Sequence, residues 1–321
     1  MTLITTLLLL IIGFIVLIRG AHYLVEGASS LAKKLLVSEI AIGLTVISFG
    51  TSAPELAVNV LAALRGNDEI IFGNIIGSNL MNILLVLGLS SAIYPLTVNW
   101  NTIWKEIPFS LLAVGIFLIL ANDVFINQAA QNELARSEGI ILLLYFLLFL
   151  LYVFKLPRMN NEEEHHPIKV LSDTKTFLLI IIGMAFLALG GHLVQDNAIK
   201  LAAQLGISQK MIGLTLVAGG TSLPELVTSV VAAYKHRMDL AVGNIVGSNI
   251  FNLFFILGIS SCIHSLSYEA VLNIDASVLA VGTLILFISL LVRRKCLIER
   301  WIGILFLVTY SGYFYYLILR K

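Results

Sequence analysis

Two short runs, FGTSAPELAV (49–58) and GGTSLPEL (219–226), put hydroxyls, a proline and a carboxylate inside long apolar stretches. Thr51, Ser52, Pro54 and Glu55 in the first are matched by Thr221, Ser222, Pro224 and Glu225 in the second. Carboxylate, hydroxyl, amide and carbonyl oxygens are ligands for hard cations, and no Cys or His stands among them to favour zinc or copper. Two glutamates carry a formal charge of −2, which one Ca2+ or two Na+ neutralise. Ca2+ takes about 6–8 oxygens. Glu55 and Glu225 can supply both oxygens of each carboxylate, and Thr51 and Thr221 are next in reach. A pocket that two kinds of cation neutralise in turn, but not together, is what an antiporter needs.

The prolines open the backbone at the same place. Pro54 and Pro224 have no N–H, so the carbonyls of Gly50 and Gly220 lose their helical partners, and those of Ser48 and Ala218 are expected to be freed nearby. Thr51 lies about 20 Å of helix from the start of its span, at ~1.5 Å per residue. Bare carbonyls and an ionised carboxylate at that depth are costly unless something satisfies them. An ion pair, a protonated carboxyl and a bound cation are the three ways to do so. Segments 38–64, 70–93, 211–233 and 240–262 contain no Lys or Arg. Arg19 is the one basic residue expected near mid-depth, and it cannot serve both glutamates. The residues favour the cation.

A second motif, GNIIGSNLMN and GNIVGSNIFN, supplies the facing wall. Ser78 and Asn82 are four residues apart and share one helix face, as do Ser248 and Asn252. Gly77 and Gly247 permit close packing on the broken helix. Asn79 and Asn249 lie off that face, as ligands or, on the favoured reading, as partners of the opened backbone. Asn74 and Asn244 are expected to pack or to satisfy backbone.

The elements that must position these groups are membrane helices. Of 321 residues 59% are hydrophobic and 12% charged, about half the charge of a soluble domain. Apolar runs of 18 or more residues recur. Breaks in hydrophobicity predict ten helices over 2–32, 38–64, 70–93, 104–121, 137–155, 175–201, 209–233, 240–262, 276–292 and 300–319. The first is expected to tilt or bend, because Arg19, Glu26 and Lys33 interrupt it. The polar stretch 155–175 reads as a linker, and its EEEHH as a solvated charge run rather than a metal site. Net charge is +1 and no basic block points to nucleic acid. Cys262 and Cys296 form no redox or metal motif. With the N-terminus outside, Lys and Arg divide 13 inside to 6 outside, Arg19 unassigned, so the positive-inside bias puts both termini outside and the linker in the cytoplasm.

The chain also reads twice. Residues 43–91 and 213–261 align at a constant offset of 170 without a gap, with 23 of 49 positions identical. The register reaches back to His22 and Glu26, matched by His192 and Asp196, pairs expected near helix ends as interfacial hydrogen bonds. Residues 1–156 and 175–321 form two five-helix units around a linker, 157–174. Five is odd, so the second unit enters the membrane from the opposite side. The fold expected is an all-α integral membrane protein of ten transmembrane helices in two inverted five-helix repeats. Inverted repeats with a mid-membrane site typify secondary transporters.

GTSAPE with GSNLMN, and GTSLPE with GSNIFN, resemble the two α-repeats of the sodium/calcium exchanger branch of the cation/Ca2+ exchanger superfamily. The resemblance spans the chain and lacks a large regulatory loop, as in a prokaryotic form. It implies Na+-driven Ca2+ exchange by alternating access, in a prokaryotic inner membrane, by a monomer without a cofactor. It assigns Ca2+ to Thr51, Glu55, Thr221 and Glu225. It assigns flanking Na+ sites to Ser52, Ser78, Ser222 and Ser248 with backbone oxygen from Ser48 and Ala218, and the central position to Asn82 and Asn252. It also implies that the first and sixth helices slide against this core. Asn252 stands where some relatives carry Asp, which argues against K+ co-transport and proton binding there. The competing readings are an H+/Ca2+ antiporter of the same fold, a channel and an intramembrane enzyme. The paired hydroxyls favour Na+, the internal repeat suits a carrier, and no hydrolytic constellation supports an enzyme.

Overall fold

The computed structural model describes residues 3–126, 128–156, 170–205, 218–293 and 296–320. EEEHH (162–166) and the start of the expected 209–233 span lie outside them. Among the described residues, eight helices are long and apolar enough to cross a membrane. They are α1 (Leu3–Leu35), α4 (Asp68–Ile93), α5 (Thr102–Leu120), α6 (Arg136–Phe154), α7 (Asp173–Gln204), α9 (Met238–Ile263), α10 (Ala270–Leu291) and α11 (Arg300–Leu319). A ninth span is the broken pair α2 (Glu39–Thr51) and α3 (Ala53–Leu64), bent by 50°. The shorter α8 (Leu223–Tyr234) follows a turn at Ala218–Gly220. The chain is a mostly helical integral membrane protein.

Local chemistry sets the breaks. Ser38 caps α2 by accepting from the Ala41 amide at 3.4 Å. Proline is excluded from a helix interior but fits the first turn, where its missing N–H has no partner to lose. The chain therefore restarts its helix around Pro54 and Pro224, in the first turns of α3 and α8. The hinge residues match closely: Ser52 has φ −84 and ψ 6, Ser222 φ −87 and ψ 7. Wide π-turns interrupt α4 at Met81–Val86 and α9 at Phe251–Ile256, again 170 residues apart.

The first helix is not interrupted at its charged residues; α1 runs unbroken for 33 residues. It lies antiparallel to α7, and glycines bring the two backbones together. Gly13, Gly20 and Gly27 face Val194, Leu187 and Ile180, while Gly183 and Gly190 face Leu24 and Leu17. A Cβ at Gly20 would lie 2.8 Å from the Leu187 amide nitrogen. One end of the seam is tied by Ser30 Oγ, 2.9 Å from Thr176 Oγ1, and by an ion pair of Lys34 with Asp173. Outward faces of α1, α6 and α11 expose Ile11, Leu148 and Val308, as lipid-facing surfaces do. The most enclosed helices are α4 and α9.

The all-helical expectation needs one addition. Loop residues Leu96–Thr97 pair with Leu297–Ile298, and Glu133–Leu134 with Leu266–Ser267. Hydrophobicity does not signal these strands; they form because loop backbone polar groups packed on helix ends need partners.

The glycine seam is tested by Gly20→Leu, expected to destabilise by about 1–3 kcal/mol through overpacking, seen as a lower thermal midpoint in detergent. Gly115→Ala, with nothing within 4 Å of the new Cβ, is expected to leave the midpoint unchanged or raise it.

Candidate functional site

The break in α2/α3 delivers Glu55 to the first turn of α3, and the break before α8 delivers Glu225 to the first turn of α8. A carboxylate there meets the positive end of the helix dipole. Both glutamates are 1% exposed. Each is held from the other repeat. Ser52 Oγ donates to Glu225 Oε1 at 2.8 Å, and Ser222 Oγ donates to Glu55 Oε1 at 3.1 Å. The carboxylates lie within Coulomb range of one another. Among the described residues neither makes an ion pair with Lys or Arg, and Arg19 is exposed. The remaining oxygens, Glu55 Oε2 and Glu225 Oε2, are buried without a hydrogen-bond partner.

The facing helices close around this pair. Ser78 Oγ lies 2.9 Å from Ser222 Oγ, while Ser248 Oγ is buried without a partner. Asn82 donates to Asn249 Oδ1 at 3.0 Å and Asn252 donates to Asn79 Oδ1 at 3.1 Å. Asn79 and Asn249 thus hold the amides of the opposite repeat, not opened backbone as the sequence favoured. Once their nitrogens are engaged, Asn82 Oδ1 and Asn252 Oδ1 remain buried and free. Ser248 Oγ and the amide oxygens of Asn82 and Asn252 join the two bare glutamate oxygens as unpaired acceptors. Such a set suits a hard cation.

The threonines are also engaged. Thr51 Oγ1 donates to Asn244 Oδ1 at 3.0 Å, and Asn74 Nδ2 donates to Thr221 Oγ1 at 3.1 Å. Asn74 and Asn244 therefore reach the other repeat's hydroxyl, beyond the packing role expected of them. Sequence reasoning missed Asn59, which lies one turn after Glu55 and donates to both Glu55 O and Asn74 Oδ1 at 2.7 Å. Its signal was the buried face it shares with Glu55.

The Ser48 carbonyl is not bare. It accepts from Ser52 N at 2.9 Å, with Thr51 Oγ1 3.3 Å away, because residues 48–51 close one α-turn after the π-turn at 43–47. The Ser48 hydroxyl donates to Gly43 O of its own helix at 2.7 Å and packs on α9, 3.2 Å from Asn244 O. A Cβ on Gly247 would meet Ser48 Oγ at 2.2 Å, so this helix contact needs glycine. A Cβ on Gly77 would meet no described atom within 4 Å. Ala218 opens the turn before Thr221. His192 Nε2 lies 3.5 Å from Asp196 Oδ2 on an exposed face, and His22 O accepts from Lys235 Nζ at 3.3 Å. Both pairs stand well inside α7 and α1, not at their ends.

Residues 5–155 and 175–319 match the family model described as sodium/calcium exchanger protein. This chain belongs to the sodium/calcium exchanger family. It is 35% identical to a putative antiporter CaxA of Alkalimonas amylolytica, over 96% of this chain and 97% of that one. It is 31% identical to the sodium/calcium exchanger MaX1 of Methanosarcina acetivorans, over 95% and 96%. A solved structure of the sodium-calcium exchanger NCX_Mj, soaked with Na+ and Ca2+, superposes with a TM-score of 0.82 at 35% identity, covering 97% of each chain. The exchanger chain is a cation/Ca2+ antiporter, a transporter and not an enzyme.

Glu55→Gln and Glu225→Gln remove charge at nearly constant volume. Each variant is expected to keep an apo thermal midpoint at or above that of the parent, since a buried charge no longer needs compensation. Each is also expected to lose the stabilisation added by millimolar Ca2+, read by thermal scans with and without the ion.

Proposed function

We propose that this exchanger couples Na+ entry at the pocket to Ca2+ release by alternating access. Glu55 and Glu225 are the shared anionic pair, and Thr51 and Thr221 complete the Ca2+ shell. Ser52, Ser78, Ser222 and Ser248, with the carbonyl of Ala218, form flanking Na+ positions; Asn82 and Asn252 line the centre. The observation that carries the reading is the crossed pair of serine–glutamate bonds between repeats, which leaves one bare oxygen on each carboxylate and no basic partner among the described residues. A dianionic pocket at membrane depth is stable only with its charge balanced. One Ca2+ or two Na+ do so, and each excludes the other, which makes transport an exchange.

The all-oxygen donor set supports Na+ over protons as the driving ion, because the serine hydroxyls beside each carboxylate add ligands that a proton does not use. The sodium-calcium exchanger named among the relatives points the same way. The repeat offset of 170, the matched hinges at Ser52 and Ser222 and the paired π-turns support ten spans in two inverted five-helix units. The α1/α7 pair, packed through glycine, is the element that slides against this core. The lysine and arginine distribution supports both termini outside a prokaryotic inner membrane, and the pocket is complete within one chain.

The test is 45Ca2+ uptake into proteoliposomes loaded with Na+. An outward Na+ gradient is expected to drive uptake at constant pH, and Glu55→Gln to abolish it. Uptake driven by a pH gradient but not by Na+ would establish the proton-coupled alternative.

A further inference from the structure

The π-turns of α4 and α9 hold equivalent places in the repeat, yet they are walled differently. Leu84 of the first stands 170 residues before Phe254 of the second. Around Phe254 the wall is aromatic. Tyr145 of α6 stacks on it with ring centroids 5.5 Å apart, and Phe109 of α5 meets it edge-on at 5.9 Å. Phe149 closes behind Phe109 at 5.5 Å. Around Leu84 the helices of the same rank are α10 and α11. They present Gly282 and Thr309 there beside a single ring, Phe306. A groove of about 540 Å³ is left, with Ile274, Val278 and Val281 along its α10 side.

The lining is apolar, and the polar side chains it contains are already satisfied. Ser277 Oγ donates to Asn273 O at 2.6 Å, and Thr309 Oγ1 donates to Leu305 O at 2.8 Å. The Asn273 amide exchanges hydrogen bonds with Asn122 at 2.6 and 3.0 Å and accepts from Tyr268 at 2.9 Å. Water, an ion or a lipid headgroup finds no side-chain partner among them. The groove also opens on the lipid side: Ile274, Val281 and Ile285 are exposed, as is Val308 on the outward face of α11. Its length fits a tail. From Ile274 to Ile285 is about 17 Å of helix at ~1.5 Å per residue, and one leaflet of a ~30 Å hydrocarbon core is about 15 Å deep. Close-packed proteins leave few gaps of this size, and in a bilayer the fluid that fills them is hydrocarbon.

We propose that this groove seats one acyl tail of a bilayer phospholipid, which takes at Leu84 the place that Phe109 and Tyr145 hold at Phe254. The tail is selected by shape, and the headgroup is not read. Leu84 lies in the π-turn that carries Asn82, so the seated tail braces that turn from behind. The inference stands on the membrane fold and is independent of which ions are exchanged.

The test is native mass spectrometry of the purified full chain, supplied with phosphatidylethanolamine or phosphatidylglycerol of the same tails and stripped of loosely held lipid by collisional activation. The parent is expected to keep one phospholipid with either headgroup. Thr309→Phe and Val281→Trp put a ring into the groove from exposed positions, and each is expected to lose that adduct. Leu148→Phe, on the outward face of α6, is expected to keep it. Thermal midpoints in detergent give a second reading. Added phospholipid is expected to raise the midpoint of the parent and of Leu148→Phe, and to leave the two filled variants unmoved. A parent that retains no lipid, or filled variants that retain it, overturns the proposal. An adduct kept with only one headgroup overturns it too, as does a dimer, in place of a bound lipid, that the filled variants lose. If one filled variant does not fold, the other and the parent decide. The exchange reading is tested separately by the 45Ca2+ assay and stands or falls without this result.

Discussion

Two carboxylates sit at membrane depth with no basic side chain described against them, and the rest of the molecule is arranged around that cost. Each glutamate occupies the first turn of a helix that restarts at a proline, where backbone N–H groups and the helix dipole favour negative charge. Each receives a serine hydroxyl from the opposite repeat. These contacts supply partial charge only. They leave one oxygen of each carboxylate unpaired, and on the proposed mechanism the balance comes from the transported ions. On that mechanism coupling between two cargoes follows from electrostatics, because an empty dianionic pocket is the state least tolerated.

The remaining architecture separates what must be rigid from what must move. The most enclosed helices, α4 and α9, carry the serines and asparagines, and their amides are bonded to one another across the repeats. That network fixes the geometry of the proposed ligands. The α1/α7 pair is held differently, by glycine-to-backbone contact along a continuous seam with few polar ties. Smooth seams of small residues resist shear weakly, whereas a hydrogen-bonded core has one good register. On the proposed mechanism, the exchanger moves its gate past its site and keeps the site intact.

The repeat makes the two halves similar and the exceptions informative. Asn59 opposite Ser229, and Ser48 opposite Ala218, are polar differences close to the glutamates. In the first, Asn59 donates to the Asn74 amide, whereas Ser229 accepts from the Asn244 amide. The second gives one repeat a hydroxyl that donates to the Gly43 carbonyl of its own helix and lies 3.2 Å from the Asn244 carbonyl of α9. On the proposed mechanism two-fold pseudo-symmetry serves alternating access, while the polar groups beside the glutamates depart from it at these two positions.

Much of this was legible in the amino acids. Apolar run lengths located the helices, because the bilayer sets a length that composition must meet. The constant 170-residue offset revealed the repeat. Glutamates in segments without lysine or arginine marked the pocket, because a charge in hydrocarbon demands an explanation. What the one-dimensional pattern could not hold were contacts between residues far apart in sequence. It did not say that Asn79 and Asn249 bond to the opposite repeat's amides, that Asn74 and Asn244 reach threonines, or that loops pair as strands. It left the Ser48 carbonyl open when a local turn closes it. Hydropathy and charge are properties of each residue and survive in sequence; the direction of a hydrogen bond depends on which partner lies on the far side, and only the packed chain decides that.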